Sequence, residues 1–549
     1  MAAVTLGRPE QTGSEALASP HSGGRPRLRI GLVADSRFQP RWLVQAFARV
    51  ASSSCAEVAV IVDLGADAPA EPWLWKAYCR LDHRVFGRGE DLLELLDLAE
   101  SVPHGRTLKL MQGQAREPLQ ALDLDVLFSL GNVPAGSLDC AARYGVWRYG
   151  FGPGGNLSAA AAGLCESDAA SLTASGLLAK LPGDRCERLL CQAWSRNLPL
   201  SLARTRRGLL PKTSQFAMRA LKNLHASGPG WIAACDRVTA GGAAAVALPP
   251  AGDCLRHVSR LAPYIARRSL QSLLYVDQWF LAFRFGGEER WDGDLRNFRL
   301  IMPPRDRFWA DPFPIERGGR HFVFFEELVF AKGKAHIAVL EVDRAGRWSR
   351  PRAVLERDYH LSYPFLVEHA GELYMIPETG HNRTVEVYRC VAFPDQWRLE
   401  KVLLKDLCTA DATFHQAHGK WWMFVGIYAE GSEFAEGAEE LHVFHCDELL
   451  GQWKPHAANP VKSDVRSGRP AGRLYQRNGA LYRPAQIGVP LYGAGVSINQ
   501  VLRLTTTDYL EQEVERIIPQ HPRNVLGLHT VNRAGGLTVI DGFTRNPRV

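Results

Sequence analysis

Lysine, paired cysteines and long apolar runs are all scarce in this chain of 549 residues. Only 12 of its 65 cationic residues are Lys, and the net charge of +7 is small for the length. The cations form no dense basic block, whereas nucleic-acid-binding proteins gather theirs on one face. Solvated arginine is therefore the favoured interpretation, and we expect no nucleic-acid partner.

The scarcity of paired cysteines and of apolar runs bears on the compartment. The 11 cysteines are dispersed and include no Cys-x-x-Cys pair. Such a count is typical of reduced thiols, so we expect a cytoplasmic protein without a structural zinc site. No stretch approaches 18 uncharged apolar residues, so no membrane-spanning helix is expected. Residues 1–26 contain much Ala, Gly, Ser and Pro, which predicts a disordered tail rather than a signal peptide.

The first half of the chain alternates short apolar runs with helical stretches. Apolar runs at 27–34, 57–62, 125–130 and 145–149 predict buried strands. Strands separated by helices are typical of a parallel sheet with crossover connections. We therefore predict an α/β parallel-sheet domain over residues 27–235. The glycine-rich segment 150–156 could cradle an anion through its backbone N–H groups, although a flexible loop is favoured.

Residues 236–269 predict a linker followed by a helix. Between Leu255 and Leu274, apolar residues alternate with arginines at positions 256, 260, 267 and 268. This pattern fits either a helix that lies on a membrane surface or a packing helix with an arginine face. The packing helix is the favoured alternative.

The second half repeats a different pattern. From about residue 300, strand pairs recur, and each unit begins with a polar dipeptide at 310–311, 362–363, 410–411 or 468–469. A period near 50 residues with about four strands per unit indicates propeller blades. We predict an all-β five-bladed propeller over residues 270–549, with a strand near 275–285 that closes the ring against the C-terminal strands.

Three acids are candidate catalytic residues because they lie where blades approach the propeller axis. Asp311, Glu378 and Asp411 are expected to converge there. Cleavage of a glycosidic bond needs one carboxylate as base or nucleophile and one protonated acid. We assign these roles to Asp311 and Glu378, with Asp411 as the group that raises the pKa of the acid. The alternative is that such acids only cap turns.

Aromatic and polar side chains near these acids are candidate substrate-binding residues. Trp309 and Tyr363 offer faces on which a sugar could stack. Arg469, Arg483 and Gln486 would add polar contacts, and arginine can clamp a phosphate or carboxylate. The histidines of this half lack the spacing of metal ligands, so we expect no metal and no cofactor.

Several motifs of the second half together resemble one known propeller family. They are Phe308–Phe313, His360–Phe365, Tyr374–Glu378, Phe393–Trp397, Gly468–Gly472 and Leu481–Gln486. The family is named after the N-terminal part of plant glucosamine inositolphosphorylceramide transferase, and it is similar to five-bladed arabinanase propellers. The resemblance implies a role with carbohydrates. Ile487 and Ala412 depart from the family pattern, which implies an altered pocket.

Residues 27–235 resemble formyltransferases, which often precede this propeller in bacteria. Those enzymes have Asn-x-His-Pro after the fourth strand and use the His with a later Asp. Here Arg148 and Gly150 stand at the Asn and His positions, and Asp184 is loosely placed for the Asp. Without the His there is no proton relay. The resemblance therefore implies a degenerate domain with a structural or binding role.

The favoured function is a carbohydrate-active enzyme. It would transfer a glycosyl unit or cleave a glycosidic bond at the propeller centre, with a carbohydrate or activated sugar as its partner. A cytoplasmic location favours glycan or glycolipid biosynthesis over secreted degradation. A non-catalytic sugar-binding scaffold is the second alternative, and a formyltransferase that acts on an amino sugar is the third.

Overall fold

The computed structural model describes most of the chain. The described residues are 26–65, 73–87, 89–111, 116–131, 133, 138, 141–152, 155, 159, 162, 172–198, 200–238, 251–286, 293–428, 439–520 and 524–548. The predicted tail up to residue 25, part of the glycine-rich segment 150–156 and the linker over 239–250 lie outside them.

The N-terminal region contains both strands and helices. In chain order these are β1 Leu28–Ala34, β2 Phe38–Pro40, α1 Arg41–Ala51, β3 Ala56–Asp63, α2 Trp73–Phe86, β4 Leu95–Asp97, α3 Leu98–Ser101, β5 Arg106–Lys109, α4 Arg116–Gln120, β6 Val126–Leu130, β7 Val146–Phe151, β8 Leu172–Lys180, β9 Glu187–Arg196, α5 Leu202–Ser214, α6 Phe216–Ser227, α7 Pro229–Ala234 and β10 Arg237–Val238. All four strands predicted in this half are present.

The main N-terminal sheet is mixed rather than parallel. Its strand order is β10-β9-β8-β7-β6-β1-β3-β5. The pairs β7–β6, β6–β1, β1–β3 and β3–β5 are parallel, as predicted. The pairs β7–β8, β8–β9 and β9–β10 are antiparallel, which corrects the prediction. For β8 and β9 the reason is the short turn that joins them, because strands joined in this way pair antiparallel.

Both faces of this sheet are covered. On β1, Ile30 and Leu32 pack in a core with Phe47 of α1 and with helices α5 and α6. Val33 faces the opposite side and packs in a second core with Leu119 of α4. Because successive strand side chains point to opposite faces, one apolar run supplies both cores.

A long helix, α8 Ala251–Leu274, precedes the propeller. The side chain of His257 is buried and bonds to α2, where Tyr78 Oη lies 2.9 Å from His257 Nε2. Most of the other described side chains of α8 are exposed. No helix among the described residues is long and apolar enough to cross a bilayer. The proposed domain limits remain predictions, although the first propeller strand begins directly after this helix.

The C-terminal region is built from strands. They are β11 Tyr275–Phe285, β12 Arg299–Ile301, β13 Arg307–Arg317, β14 Arg320–Val329, β15 Ala335–Val342, β16 Arg352–Leu355, β17 Ser362–His369, β18 Glu372–Thr379, β19 Thr384–Ala392, β20 Gln396–Lys405, β21 Thr409–Ala417, β22 Lys420–Ile427, β23 Glu440–Cys446, β24 Lys454–Pro455, β25 Lys462–Ser463, β26 Tyr475–Arg477, β27 Ala480–Ile487, β28 Gly495–Leu504, β29 Tyr509–Ile517, β30 Val525–Gly527, β31 Val531–Ala534 and β32 Leu537–Pro547.

These strands form the five predicted blades. Blades 1 to 4 are the sheets β13–β16, β17–β20, β21–β25 and β26–β29. Blade 5 combines β30, β31 and β32 with β11 and β12 from the start of the region. The pairing of β11 with β32 extends from Tyr275–Pro547 to Phe285–Leu537. This pairing closes the ring, as the sequence predicted. Aromatic contacts such as Phe313 with Tyr363 join neighbouring blades.

The N-terminal domain docks against blades 3 and 4 through a buried contact. Lys212 of α5 forms an ion pair with Glu439 and donates to Ser195. Trp194 of β9 bridges to Asp464, and the Arg466 guanidinium lies 4.5 Å from the Trp194 ring. The segment anchored in this way leads directly into the propeller centre at residue 469.

Candidate functional site

The innermost strands of blades 1 to 3 share a local distortion that brings one side chain of each blade to the centre. Each has an irregularity in its register, and the residue at that point has a left-handed backbone. These residues are Asp311, Tyr363 and Asp411, with φ of 51°, 45° and 53°. Backbone strain of this kind in non-glycine residues costs on the order of 1–3 kcal/mol and is concentrated at functional sites. The repeat dipeptides predicted from the sequence mark these positions.

Glu378 reaches the centre from a different strand than predicted. It belongs to β18, the second strand of blade 2, and pairs with Ser362. The inner strand of that blade contributes Tyr363 instead. Asp311 and Asp411 occupy equivalent positions on inner strands, whereas Glu378 lies on the second strand of its blade. Glu378 is nevertheless beside Asp411, whose backbone N–H donates to its Oε2 at 3.2 Å.

Arg469 joins two of the three acids. Its Nε donates to Asp411 Oδ2 at 2.5 Å, and its Nη2 donates to Glu378 Oε2 and Asp411 Oδ1 at 3.3 Å each. Because Glu378 Oε2 and Asp411 Oδ1 share this Nη2 donor, these two oxygens lie no farther apart than twice 3.3 Å. Gln486 Nε2 donates to Asp411 Oδ2 at 2.7 Å, and Arg469 Nη1 donates to Tyr428 Oη at 3.2 Å. Arg469 and Gln486 thus hold the acids in place, in positions that the sequence predicted for substrate contacts.

Asp311 belongs to a second network, which involves blade 5. Thr530 Oγ1 donates to Asp311 Oδ1 at 2.7 Å, and the backbone N–H of Asp311 donates to Asp541 Oδ2 at 3.0 Å. His529 Nδ1 lies 2.6 Å from Asp541 Oδ2, and its Nε2 lies 3.8 Å from Asp311 Oδ1. Trp279 stacks on the His529 ring at 4.1 Å. This network fixes the position of the Asp311 carboxyl group.

Burial and crowding shift the pKa values of these groups. Burial raises the pKa of Asp311 to about 7; His529 opposes this shift, and the charge of Asp411 adds to it. Burial also raises the pKa of Glu378 well above its usual range, although Arg469 opposes the shift. Burial disfavours protonated His529, but the carboxylates of Asp541 and Asp311 outweigh it and raise its pKa to about 9. These shifts favour the protonated form of Glu378 and place the pKa of Asp311 near neutrality.

The donor atoms of Asp311, His529 and Asp541 lie within 4.8 Å of one another, as the ligands of a metal ion would. His529 Nδ1 lies 2.6 Å from Asp541 Oδ2, so in this arrangement the imidazole is paired with a carboxylate. A metal ion at this position would have to displace the imidazole proton, because a metal ligand is the neutral imidazole.

The two predicted stacking residues are buried in cores. Trp309 packs on Phe325 with a ring separation of 5.5 Å, and its Nε1 donates to Glu327 at 2.9 Å. Tyr363 is fully buried, and its Oη contacts Thr413 and accepts from the backbone of Gly472. Neither ring offers a free face to a sugar, which corrects the expectation for both. Large aromatics at blade starts instead fill the space between blades.

Arg483 also has a structural role rather than the predicted substrate contact. Its guanidinium is fully buried within blade 4 and donates to Glu511 at 2.8 and 2.7 Å and to the Ser467 carbonyl at 2.6 Å. The side chain points between strands of its own blade. Sequence position alone did not separate it from Arg469, which faces the centre.

Several residues of the centre were not predicted from the sequence. Glu326 of β14 is one of them and pairs with Ala310. Glu378 pairs with Ser362 in the same way, so the two acids occupy equivalent positions in blades 1 and 2. His360 Nε2 lies 3.0 Å from Glu326 Oε1. Asp541, His529 and Thr530 belong to the composite blade 5, where the repeat is broken. Tyr492 is partly exposed, and the Arg469 guanidinium lies 5.4 Å from its ring, so it is the aromatic face best placed for a ligand.

A family model matches the part of the chain that contains this centre. The family is described as "Glucosamine inositolphosphorylceramide transferase 1, N-terminal", and the match covers residues 302–530. The propeller is similar to this family. The match contains every residue of the two networks except Trp279 and Asp541.

Plant proteins with the same name as this family are similar in sequence to part of the chain. Glucosamine inositolphosphorylceramide transferase 1 of Oryza sativa subsp. japonica is 35% identical over 210 residues, or 38% of this chain and 28% of the relative. The Arabidopsis thaliana protein is 33% identical over 211 residues, or 38% and 27%. The aligned stretch therefore spans less than a third of these relatives.

Solved glycoside hydrolases show a weak likeness in shape. A family 117 glycoside hydrolase, Zg3597 of Zobellia galactanivorans, aligns with a TM-score of 0.32 and 10% identity over 49% of this chain and 90% of that chain. An exo-1,5-alpha-L-arabinanase from a bovine ruminal metagenomic library gives 0.31 and 11% over 44% and 94%. TM-scores this low say nothing about activity.

Proposed function

We propose that the propeller centre binds a sugar and transfers or cleaves its glycosidic bond, in glycan or glycolipid biosynthesis. The feature that supports this most is that two buried carboxyl groups of the propeller centre have raised pKa values. The pKa of Glu378 lies well above its usual range, and that of Asp311 lies near neutrality. Glycosyl chemistry needs one carboxyl group that is protonated and one that is ionised.

In the proposed reaction, the carboxylate of Asp311 takes the proton of the attacking hydroxyl or attacks the anomeric carbon itself. Glu378 gives its proton to the leaving oxygen as the bond to the anomeric carbon breaks. Burial keeps the proton on Glu378, and like-charge repulsion from Asp411 adds to this effect. These roles agree with those predicted from the sequence and remain proposals.

Two further side chains are suited to substrate contacts. Gln486 Oε1 is buried and has no hydrogen-bond partner among the described residues, so it can accept from a sugar hydroxyl. Tyr492 presents a partly exposed ring beside Arg469. An unsatisfied buried acceptor costs stability unless a ligand supplies the donor.

The plant relatives' name specifies the first substrates to test. It combines glucosamine with inositolphosphorylceramide, so we propose an amino sugar as donor and an inositol-containing lipid as acceptor. The protein would be incubated with inositolphosphorylceramide and nucleotide-activated glucosamine or N-acetylglucosamine. The expected product is the lipid with the added mass of one amino sugar. Release of the sugar without an acceptor would indicate cleavage instead.

Asp311→Asn tests the assignment of the centre. It should abolish turnover and preserve sugar binding, because the amide keeps the hydrogen bond from Thr530. Asp343→Asn, at an exposed turn of blade 1, is the matched control and should retain full activity. Equal activity in wild type and Asp311→Asn would reject this centre as the catalytic site.

A non-catalytic sugar-binding scaffold is the alternative. It is favoured by the short aligned stretch, which corresponds to only the N-terminal part of a larger transferase. Calorimetry with the same sugars separates the two proposals. Binding without turnover in the wild type, reduced in Gln486→Leu, would support the scaffold.

For the N-terminal domain we propose a structural role. Arg148, at the position of the formyltransferase Asn, forms two bonds with Glu187 at 2.8 and 2.7 Å and donates to the Gly155 carbonyl at 2.7 Å. Gly150 has no side chain to act as a base. The test of formyl transfer is incubation with a 10-formyl folate donor and amino sugars, and we expect neither a formyl mass gain nor folate binding. A cytoplasmic location likewise remains a proposal.

A further inference from the structure

The outward face of helix α8 is apolar. His257, Leu261 and Tyr264 face inward and are at least partly buried, as expected for the packing face of the helix. On the opposite side, Leu255 and Leu273 are exposed over 65% and 70% of their surfaces. Val258, Ile265, Leu270 and Leu274 are also exposed. An amphipathic helix normally turns its apolar stripe toward the core, and this one turns it outward.

Helix α2 extends the same surface. It is held to α8 by the contact of Tyr78 with His257, whose rings are 5.4 Å apart. Its exposed apolar side chains are Trp73, Leu74, Leu81 and Val85. We call the exposed apolar residues of both helices the α2–α8 surface. Large exposed apolar patches on soluble proteins commonly mark a binding surface.

The charges on these two helices are almost all positive. Six cationic side chains are exposed: Lys76, Arg80, Arg84, Arg260, Arg267 and Arg268. Among the described side chains of the two helices, the only carboxylate is that of Asp82, which is buried and accepts from the Ala203 N–H at 2.7 Å. Exposed cations beside exposed leucines and a tryptophan complement a negatively charged lipid headgroup layer above acyl chains.

We propose that the α2–α8 surface docks the protein onto an anionic lipid bilayer. The leucines and Trp73 would enter the boundary of the acyl chains, while the arginines contact lipid phosphates. The segment that precedes α8 has too few large apolar side chains to cover this surface. Residues 239–250 are mostly Ala, Gly and Pro, and their only large apolar residues are Val246 and Leu248. The proposal is independent of the chemistry at the propeller centre.

Vesicle flotation with the full chain tests this proposal. The probes are phosphatidylcholine vesicles with and without phosphatidylserine, at low and high salt. We expect binding to the anionic vesicles, weaker binding at high salt, and little binding to neutral ones. Arg267→Glu/Arg268→Glu should lower partitioning at least about tenfold, because each cation near an anionic surface contributes about 1 kcal/mol. Leu270→Ser/Leu273→Ser should lower it as strongly through lost burial.

Matched controls separate docking from general loss of charge or apolar surface. Arg344→Glu/Arg350→Glu and Leu399→Ser/Leu510→Ser change exposed residues on the outer strands and turns of the propeller. These variants should bind vesicles like the wild type. Circular dichroism melts establish that all four variants are folded.

Three outcomes would overturn the proposal. The first is equal binding to neutral and anionic vesicles or to neither. The second is equal loss in the α2–α8 variants and their controls. The third is a dimer in light scattering that Leu270→Ser/Leu273→Ser dissociates, because a second copy of the chain would then cover the surface. Glycosyl transfer to a short-chain acceptor in detergent should survive in the α2–α8 variants, so failure here is distinguishable from failure of the proposed function.

Discussion

Two buried arginines of the propeller contact acids whose pKa values shift in opposite directions. Inside blade 4, Glu511 accepts from Arg483 and also from Lys462 at 2.6 Å. Burial would raise the pKa of Glu511, but these cations lower it to about 2. At the propeller centre, Arg469 faces Glu378 and Asp411 together, and the pKa of Glu378 rises well above its usual range.

The ratio of cations to carboxyl groups explains the difference. Glu511 has two cations, so its charge is fully compensated. The centre has more acids than cations, and in a buried site the excess negative charge is neutralised by protonation of an acid. Structural ion pairs and candidate catalytic acids therefore differ in stoichiometry rather than in residue type.

Glu378→Gln is expected to have the largest effect. Turnover should fall roughly 10²- to 10⁴-fold, because the amide cannot give a proton to the leaving oxygen. Stability should stay nearly unchanged, since an amide replaces a carboxyl group that is already protonated. Thermal melts and product formation, measured together, check this. A large loss of stability would indicate that Glu378 is ionised in the folded protein.

The two arginines should differ in the cost of their removal. Arg483→Leu leaves the Glu511 carboxylate with Lys462 alone, and breaking a buried ion pair costs about 3–5 kcal/mol. Arg469→Leu should cost more, because it leaves the buried Asp411 carboxylate without a cation, whereas Glu511 keeps Lys462 in Arg483→Leu. Urea unfolding of both variants measures the difference. Equal losses would contradict the role of stoichiometry.

The pH dependence of stability should have a definite sign. The pKa of His529 is raised to about 9, so its contribution is complete below pH 6.5 and is lost as the pH rises to 9. The raised pKa of Asp311 makes the folded state bind the extra proton between pH 4 and 7, so stability falls over that range too.

Asp311→Asn should remove the fall in stability between pH 4 and 7, which is on the order of 2–4 kcal/mol. The variant should therefore be more stable than the wild type at pH 8. Unfolding free energies at pH 5, 7 and 9 test this, with Asp343→Asn as control. An unchanged slope in Asp311→Asn would show that Asp311 titrates normally.

Tyr492→Ala should have the smallest of these effects. Loss of the ring beside Arg469 should weaken sugar binding about two- to tenfold without a change in the turnover rate. Phe330→Ala removes an exposed ring of a blade 1 turn and should leave binding unchanged. Calorimetric titration compares the two, and equal affinities would place the sugar elsewhere.

The repeat made much of the propeller predictable. The dipeptides at 310–311, 362–363 and 410–411 mark the distorted inner strands, because the same local geometry recurs in each blade. Ring closure by β11 was predictable for the same reason, since one blade lacked outer strands. The N-terminal strands were found, but the β8–β9 hairpin was missed because apolar runs do not reveal strand direction.

Partners of individual side chains were less predictable. Arg469 and Arg483 lie in similar sequence surroundings, yet one faces the axis and the other faces Glu511. Trp309 was expected to bind a sugar because aromatic residues serve both cores and ligands. His529 and Asp541 were not predicted, because blade 5 is assembled from strands at both ends of the region. This arrangement interrupts the sequence repeat of about 50 residues.

The most direct test of this account is the protonation of Glu378 in the folded protein. Carboxyl ¹³C resonances of labelled protein would be followed with pH, with Glu378→Gln to assign the signal. We predict one glutamate that remains protonated at pH 7 and whose signal is absent from the variant. A wild-type spectrum in which every glutamate is ionised at pH 6 would contradict the account, because the centre would then lack an acid for the leaving group.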